Sequence, residues 1–341
     1  MPKNKLLLVA GLSVGILLAA IFGFHLWAPR DPLAVRADML SLMPEDASAV
    51  LFLDVAQLRS SPFLEQLFRW APQPVPDSDY LQFLQATGFD YERDLNRLAL
   101  AINTPTQNST AFAIAEGRFD RKKIEAYAAR YGSLKTADGK TLFAVPLKGS
   151  NRKAFFVFLR DDRLAWANDS SYFFRKPPSS TSAEWREHFL RLAGTPIFAV
   201  LRQDSGAAAA LAQGPGGLRS SQLAALLAQL QWISVGGKPE GNLLRVAIDG
   251  ECLTEGTVHQ LKEVLSGIVV LAQLGLYDPK TRKQLDPELR AGYLELLQSA
   301  EIQQLDRGTS KSVRVVFDVT PKLLQAARNP AAAADPPPPA H

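Results

Sequence analysis

Residues Leu6 to Trp27 form an apolar run of 22 positions, built mainly from Leu, Ile, Val, Ala, Gly and Phe, whose only titratable side chain is His25. About 20 such residues are what an α-helix needs to cross the hydrocarbon core of a bilayer. The run therefore predicts a transmembrane signal-anchor over 6–27, with Leu6, Leu17 and Ile21 facing lipid and Trp27 at the interface. Lys3 and Lys5 precede it, and Ala28, Pro29, Arg30 and Asp31 follow. By the positive-inside rule these two lysines place residues 1–5 in the cytoplasm and export everything after residue 27. The run is long for the core of a cleaved signal peptide, and Leu26 with Ala28 makes a poor small-x-small cleavage site. A single-pass protein of a bacterial inner membrane is expected, with its C-terminal region periplasmic.

The exported part is close to neutral. The whole chain has 38 Lys and Arg against 34 Asp and Glu. With Lys3 and Lys5 on the cytoplasmic side, the remainder has little excess charge, so nucleic acid is not an expected partner. Its most basic stretch, Arg118, Arg121, Lys122 and Lys123, has Glu116 and Asp120 beside it and reads as the solvated start of a helix. Cys252 is the single cysteine, so no internal disulfide can form and stability must come from an apolar core. It sits in Val246 to Cys252, which reads as a half-buried strand, with no matching His and acid cluster to make it a nucleophile.

Past a stalk over 28–41, hydrophobic periodicity alternates between strand and helix. Ala49 to Val55 reads as a strand. Ser61-Pro62 has the chemistry of a helix start, followed by Phe63, Leu64, Leu67, Phe68 and Trp70. A second helix over about 79–86 ends at Gly88. Leu98 to Ile102 and Thr110 to Ala115 form a hairpin, and Asp120 caps a helix that ends at Gly132. Strands are predicted over 141–147, 154–159 and 163–167, then a helix opened by Thr181 and Glu184 and closed by Gly194. Pro196 to Leu201 resembles the first strand and begins the order again: helices over 207–213 and 218–230, a strand at Trp232 to Val235, and a second Gly-terminated strand. An offset of 133 residues places Gly250 on Gly117. A long helix from Thr254 to Leu276 follows, then a helix over 287–297, strands near 300–305 and 313–319, and a closing helix over 321–327. The tail, 329–341, is rich in Pro and Ala and cannot pack a core.

The expected architecture is therefore α+β: an anchor, a first half over 42–194 and a related second half over 195–328, each an antiparallel sheet packed with helices. Two phrases carry a resemblance. Leu42-Met43-Pro44-Glu45-Asp46-Ala47, running on to Leu53-Asp54-Val55, Leu58-Arg59 and Ser61-Pro62, is the first; Thr87-Gly88-Phe89-Asp90 with Asp94-Leu95 is the second. Together they resemble bacterial exported proteins with a single-span anchor and a duplicated α+β region. The resemblance implies that topology and brings no catalytic residue or ligand set with it.

No motif for chemistry stands out. His25, His188, His259 and His341 lack a second ligand at metal-binding spacing, there is no Gly-x-Ser-x-Gly elbow, and Gly214-Pro215-Gly216-Gly217 lacks the Lys-Ser/Thr ending of a phosphate loop. No cofactor and no catalytic residue are predicted. The expected role is a non-catalytic binding or interaction module. The alternatives are an envelope protein that handles an apolar ligand or lipid and, further off, an envelope hydrolase. Partners are the bilayer, through the anchor, and an envelope protein or apolar ligand. Phe63, Phe68 and Trp70 are the aromatic candidates for a contact surface. Ile268, Leu271 and Leu274 are the aliphatic ones, in a segment, Gly267 to Leu276, that is apolar nearly all round and too short for a second span.

Overall fold

The computed structural model describes residues 32–70, 78–103, 109–137, 140–146, 153–174, 183–203, 225–308 and 310–328. The anchor with Leu6, Leu17, Ile21, Trp27, Lys3 and Lys5, the Gly214–Gly217 loop, most of the 207–230 helices and the tail lie outside them. Among the described residues no helix is long and apolar enough to cross a membrane. The fold is α+β with antiparallel strand pairing.

Contacts divide the chain into two compact units, Met1–Ser60 with Pro72–Ala207, and Ser61–Ala71 with Ala208–His341. Unit 1 begins with α1 (Pro32–Leu40), inside the segment expected as a stalk. Arg36, Met39 and Leu40 are buried, so this helix is part of the domain. β1 (Ala49–Asp54) follows, then α2 (Val55–Arg59), which Asp54 caps by accepting from the Gln57 N–H at 3.0 Å. α3 (Pro62–Trp70) leaves for unit 2. Unit 1 resumes with α4 (Ser78–Thr87), α5 (Tyr91–Asp94), the hairpin β2 (Leu95–Asn103) and β3 (Thr110–Gly117), and α6 (Arg121–Tyr131). It then runs through β4 (Ser133–Ala137), β5 (Lys140–Pro146), β6 (Lys153–Arg160), β7 (Arg163–Ala167), α7 (Ser171–Phe174), α8 (Ala183–Arg191) and β8 (Ile197–Arg202). Strand order in this unit is β8-β1-β2-β3-β7-β6-β5-β4.

The strand expected to open the second half is thus β8, and it pairs with β1. The physical reason is a directly opposed aromatic pair: Phe52 and Phe198 stack across the two strands with centroids 5.1 Å apart. Phe189 of α8 lies 5.9 Å from Phe198, and Trp185 5.6 Å from Phe189. The Arg36 guanidinium sits 4.6 Å from the Phe52 ring and donates to the carbonyls of Leu192 (3.3 Å) and Thr195 (2.8 Å). Aromatic faces favour such a cation when it is desolvated. A second cluster joins Ile124 and Ala128 of α6 to Phe143, Phe156 and Phe158, whose alternation along β6 puts both rings on one face.

Unit 2 consists of α3, a hairpin of β9 (Leu230–Glu240) and β10 (Leu243–Cys252), the long α9 (Glu255–Tyr277), the short α10 (Pro279–Gln284), α11 (Pro287–Gln298), the hairpin β11 (Glu301–Asp306) and β12 (Lys311–Val319), and α12 (Pro321–Arg328). Its strand order is β11-β12-β10-β9. Thr254 caps α9, accepting from the Thr257 N–H at 3.2 Å. Gly292 lets α11 approach α12 closely, since a Cβ there would lie 3.0 Å from the Leu323 Cα.

Candidate interaction surface

Two buried carboxylates, one in each unit, each face an arginine across the sheet. In unit 1, Glu116 on β3 faces Arg163 on β7 and Arg97 on β2 across the ladder. Arg163 Nε donates to Glu116 Oε1 at 2.7 Å, Arg160 Nη2 at 3.1 Å, and Arg97 Nη1 reaches Oε2 at 3.4 Å. Arg97 Nε also bonds Asp54 (3.1 Å), and Arg163 Nη1 lies 2.6 Å from Asp38 of α1. Three arginines thus meet three carboxylates and tie α1 to the sheet.

In unit 2, Asp249 on β10 faces Arg314 on β12. The bond is bidentate, Nε to Oδ1 at 2.6 Å and Nη2 to Oδ2 at 2.7 Å, and Arg307 adds 3.0 Å to Oδ2. Burial works to raise the Asp249 carboxyl, but the Arg314 and Arg307 bonds outweigh it and hold the group below the ordinary carboxylate range. A depressed folded-state value contributes stability that is present above the unfolded value, about 3.9, and is lost as pH falls through the folded one. Asp249→Asn is therefore expected to be less stable than the wild type at pH 7, by about 3 kcal/mol. The gap should narrow in urea titrations as pH drops below 4. A gap that is constant with pH would contradict this account.

Other reactive groups are placed for structure. Cys252 is buried at the end of β10, which pushes its thiol up to about 11 and keeps it protonated at neutral pH. His188 is buried on α8 and His259 is exposed on α9. Among the described residues no group of three His, Cys, Asp or Glu could hold a metal ion.

The apolar candidates separate. Phe63 is buried on α3; the side chains of Phe68 and Trp70 lie outside the described residues. On α9, Val258 and Leu261 are buried and Ile268 half-buried, while Leu271 and Leu274 are 65% and 61% exposed. Val270 (53%) and Tyr277 (57%) join them. Positions 267, 270, 271, 274 and 277 follow the helical repeat, so these side chains form one stripe. Towards the N-terminus the same stripe carries exposed His259, Gln260 and Glu263. The helix therefore changes along one face from polar to apolar. Sequence periodicity found the segment but not Val270 and Tyr277, because a run that is apolar all round has no side marked for water. Among the described residues this stripe gathers the most exposed large apolar side chains.

No protein-family model matches the chain, and no curated protein sequence matches it. Solved structures of TP0453 are similar to it at low identity. Crystal form IV aligns with 88% of this chain and 99% of that one, at 8% identity and a TM-score of 0.43. For form I the values are 85%, 98%, 8% and 0.44, and for form III 88%, 98%, 9% and 0.42.

Proposed function

We propose that the protein is a membrane-tethered, extracytoplasmic, non-catalytic binding module. The observation that carries this reading is the exposed apolar stripe Val270, Leu271, Leu274 and Tyr277, since the largest apolar patch on a folded domain is often its functional surface. The tether reading rests on the 6–27 run and its flanking lysines. Four residues, 28–31, separate Trp27 from α1, a reach of about 14 Å when extended. Arg36 and Asp38 bind α1 to unit 1, so the anchor would hold that unit close to the bilayer rather than on a long stalk.

The same proposal includes a duplication. Each unit has a hairpin, a helix, and a later hairpin whose second strand pairs back on the first: β7 on β3, and β12 on β10. Glu116-Gly117 and Asp249-Gly250 stand at the 133-residue offset, each carboxylate facing an arginine across the ladder. An experimental structure lacking either pairing would remove this part.

Fractionation tests the tether. The full chain is expected to stay in the membrane pellet through alkaline carbonate extraction, a variant lacking residues 1–27 to be soluble, and protease added to spheroplasts to digest the region after residue 32. Release of the full chain by carbonate, or protection from the protease, would sink the reading.

A further inference from the structure

We propose that the C-terminal half of α9, with α10, docks onto an anionic bilayer surface. This deepens the binding-module reading and rests on its tether. Three observations converge. The stripe Val270, Leu271, Leu274, Tyr277 is apolar and spans about 11 Å of helix. Tyr277 stands at its end, where an amphipathic ring suits the headgroup boundary. Directly beyond it α10 carries Lys280, Arg282 and Lys283, all exposed and with no acidic partner among the described residues. α10 itself contains three cations and no acidic residue, while the flanking Asp278 and Asp286 keep their charge but turn it to helix N-termini, accepting from the Lys280 N–H at 2.8 Å and the Glu288 N–H at 2.9 Å. An apolar face bounded by an aromatic and a cluster of cations is the pattern of a helix lying in the interface of anionic lipid.

Size argues against a second copy of the chain as the occupant. Four side chains exposed to this degree offer roughly 400 Å², typical of the largest patch on a monomer, whereas a stable protein interface takes about 800 Å² from each partner. A bilayer needs no matched partner surface, and an anchor in the same chain keeps it at high local concentration, so a modest interfacial affinity suffices.

The test uses the full chain in vesicles with an environment-sensitive fluorophore on Gly275→Cys in a Cys252→Ala background. Gly275 is exposed at the edge of the stripe with nothing within 4 Å of its Cβ position, so the four apolar side chains stay in place. In phosphatidylcholine vesicles containing phosphatidylglycerol, the emission should shift to the blue and be quenched by nitroxide lipids; a label on Glu263→Cys should stay in water. Changing Lys280, Arg282 and Lys283 to Gln should lower the docked-to-free ratio by on the order of 100-fold, about fivefold for each cation. A water-exposed label in both lipid compositions overturns the proposal. So does a shift that follows protein density instead of lipid composition, which would mean a second copy covers the stripe. Carbonate extraction of the same vesicles separates the failures: a retained chain with its label in water refutes docking alone, and a released chain refutes the tether.

Discussion

Glu116→Gln is expected to destabilise unit 1 by about 3–5 kcal/mol, because it leaves Arg163 and its neighbours around a buried point with no carboxylate to receive them. Glu116 and Arg163 are both buried, so water cannot take over the missing bonds. Asp54 and Asp38 remain, but each is already engaged, Asp54 by Arg97 and Asp38 by Arg163. Urea unfolding would read the loss directly. Lys123→Gln, which breaks a surface pair with Asp120, should change stability by less than about 0.5 kcal/mol. Pairing Glu116→Gln with Arg163→Met should recover part of the loss, since an apolar replacement for a buried ion removes an unmet desolvation cost. A single-variant loss below about 1 kcal/mol would mean the cluster is far wetter than its burial indicates.

The second large effect distinguishes two glycines 133 positions apart, Gly117 and Gly250. A Cβ at Gly117 would lie 2.5 Å from the Asp94 carbonyl oxygen, and relief would require moving backbone that α5 and the Arg93 and Arg118 bonds to Asp94 hold in place. At Gly250 the nearest atom is Leu230 Cδ2 at 3.0 Å, the end of a side chain that can rotate. Gly117→Ala should therefore cost about 3 kcal/mol, and Gly250→Ala about 1 kcal/mol or less. Equal costs in thermal unfolding of the two variants would show that Asp94 is not the constraint.

These contrasts bear on what could be read from residues alone. Local chemistry was legible: Asp120 caps α6, Pro62 opens α3, and Gly88, with φ 73°, closes α4. Each of these depends on neighbours within four residues. Pairing at a distance was not. Nothing local in Ile197 to Arg202 says that its strand lies against β1, because the decisive partner, Phe52, is 146 positions away. Nor does the strand 313–319 by itself announce that Arg314 and Asp318 each have a salt-bridge partner on β10, Asp249 and Arg245. The candidate surface was half legible. Periodicity marks Leu271 and Leu274 as apolar, but whether a residue on a uniformly apolar helix meets core or water is decided by what packs beside it.

The assignment of α3 to unit 2 has a temporal consequence. α3 packs with β9 and α12, yet it is made with the first unit. At about 5–20 residues per second, the ribosome needs on the order of ten seconds or more to travel from Trp70 to the end of β9. During that interval β9 and α12, against which α3 packs, have not yet been made, while the strands of unit 1 can already be pairing. The chain must keep one helix in reserve until its own C-terminal third arrives.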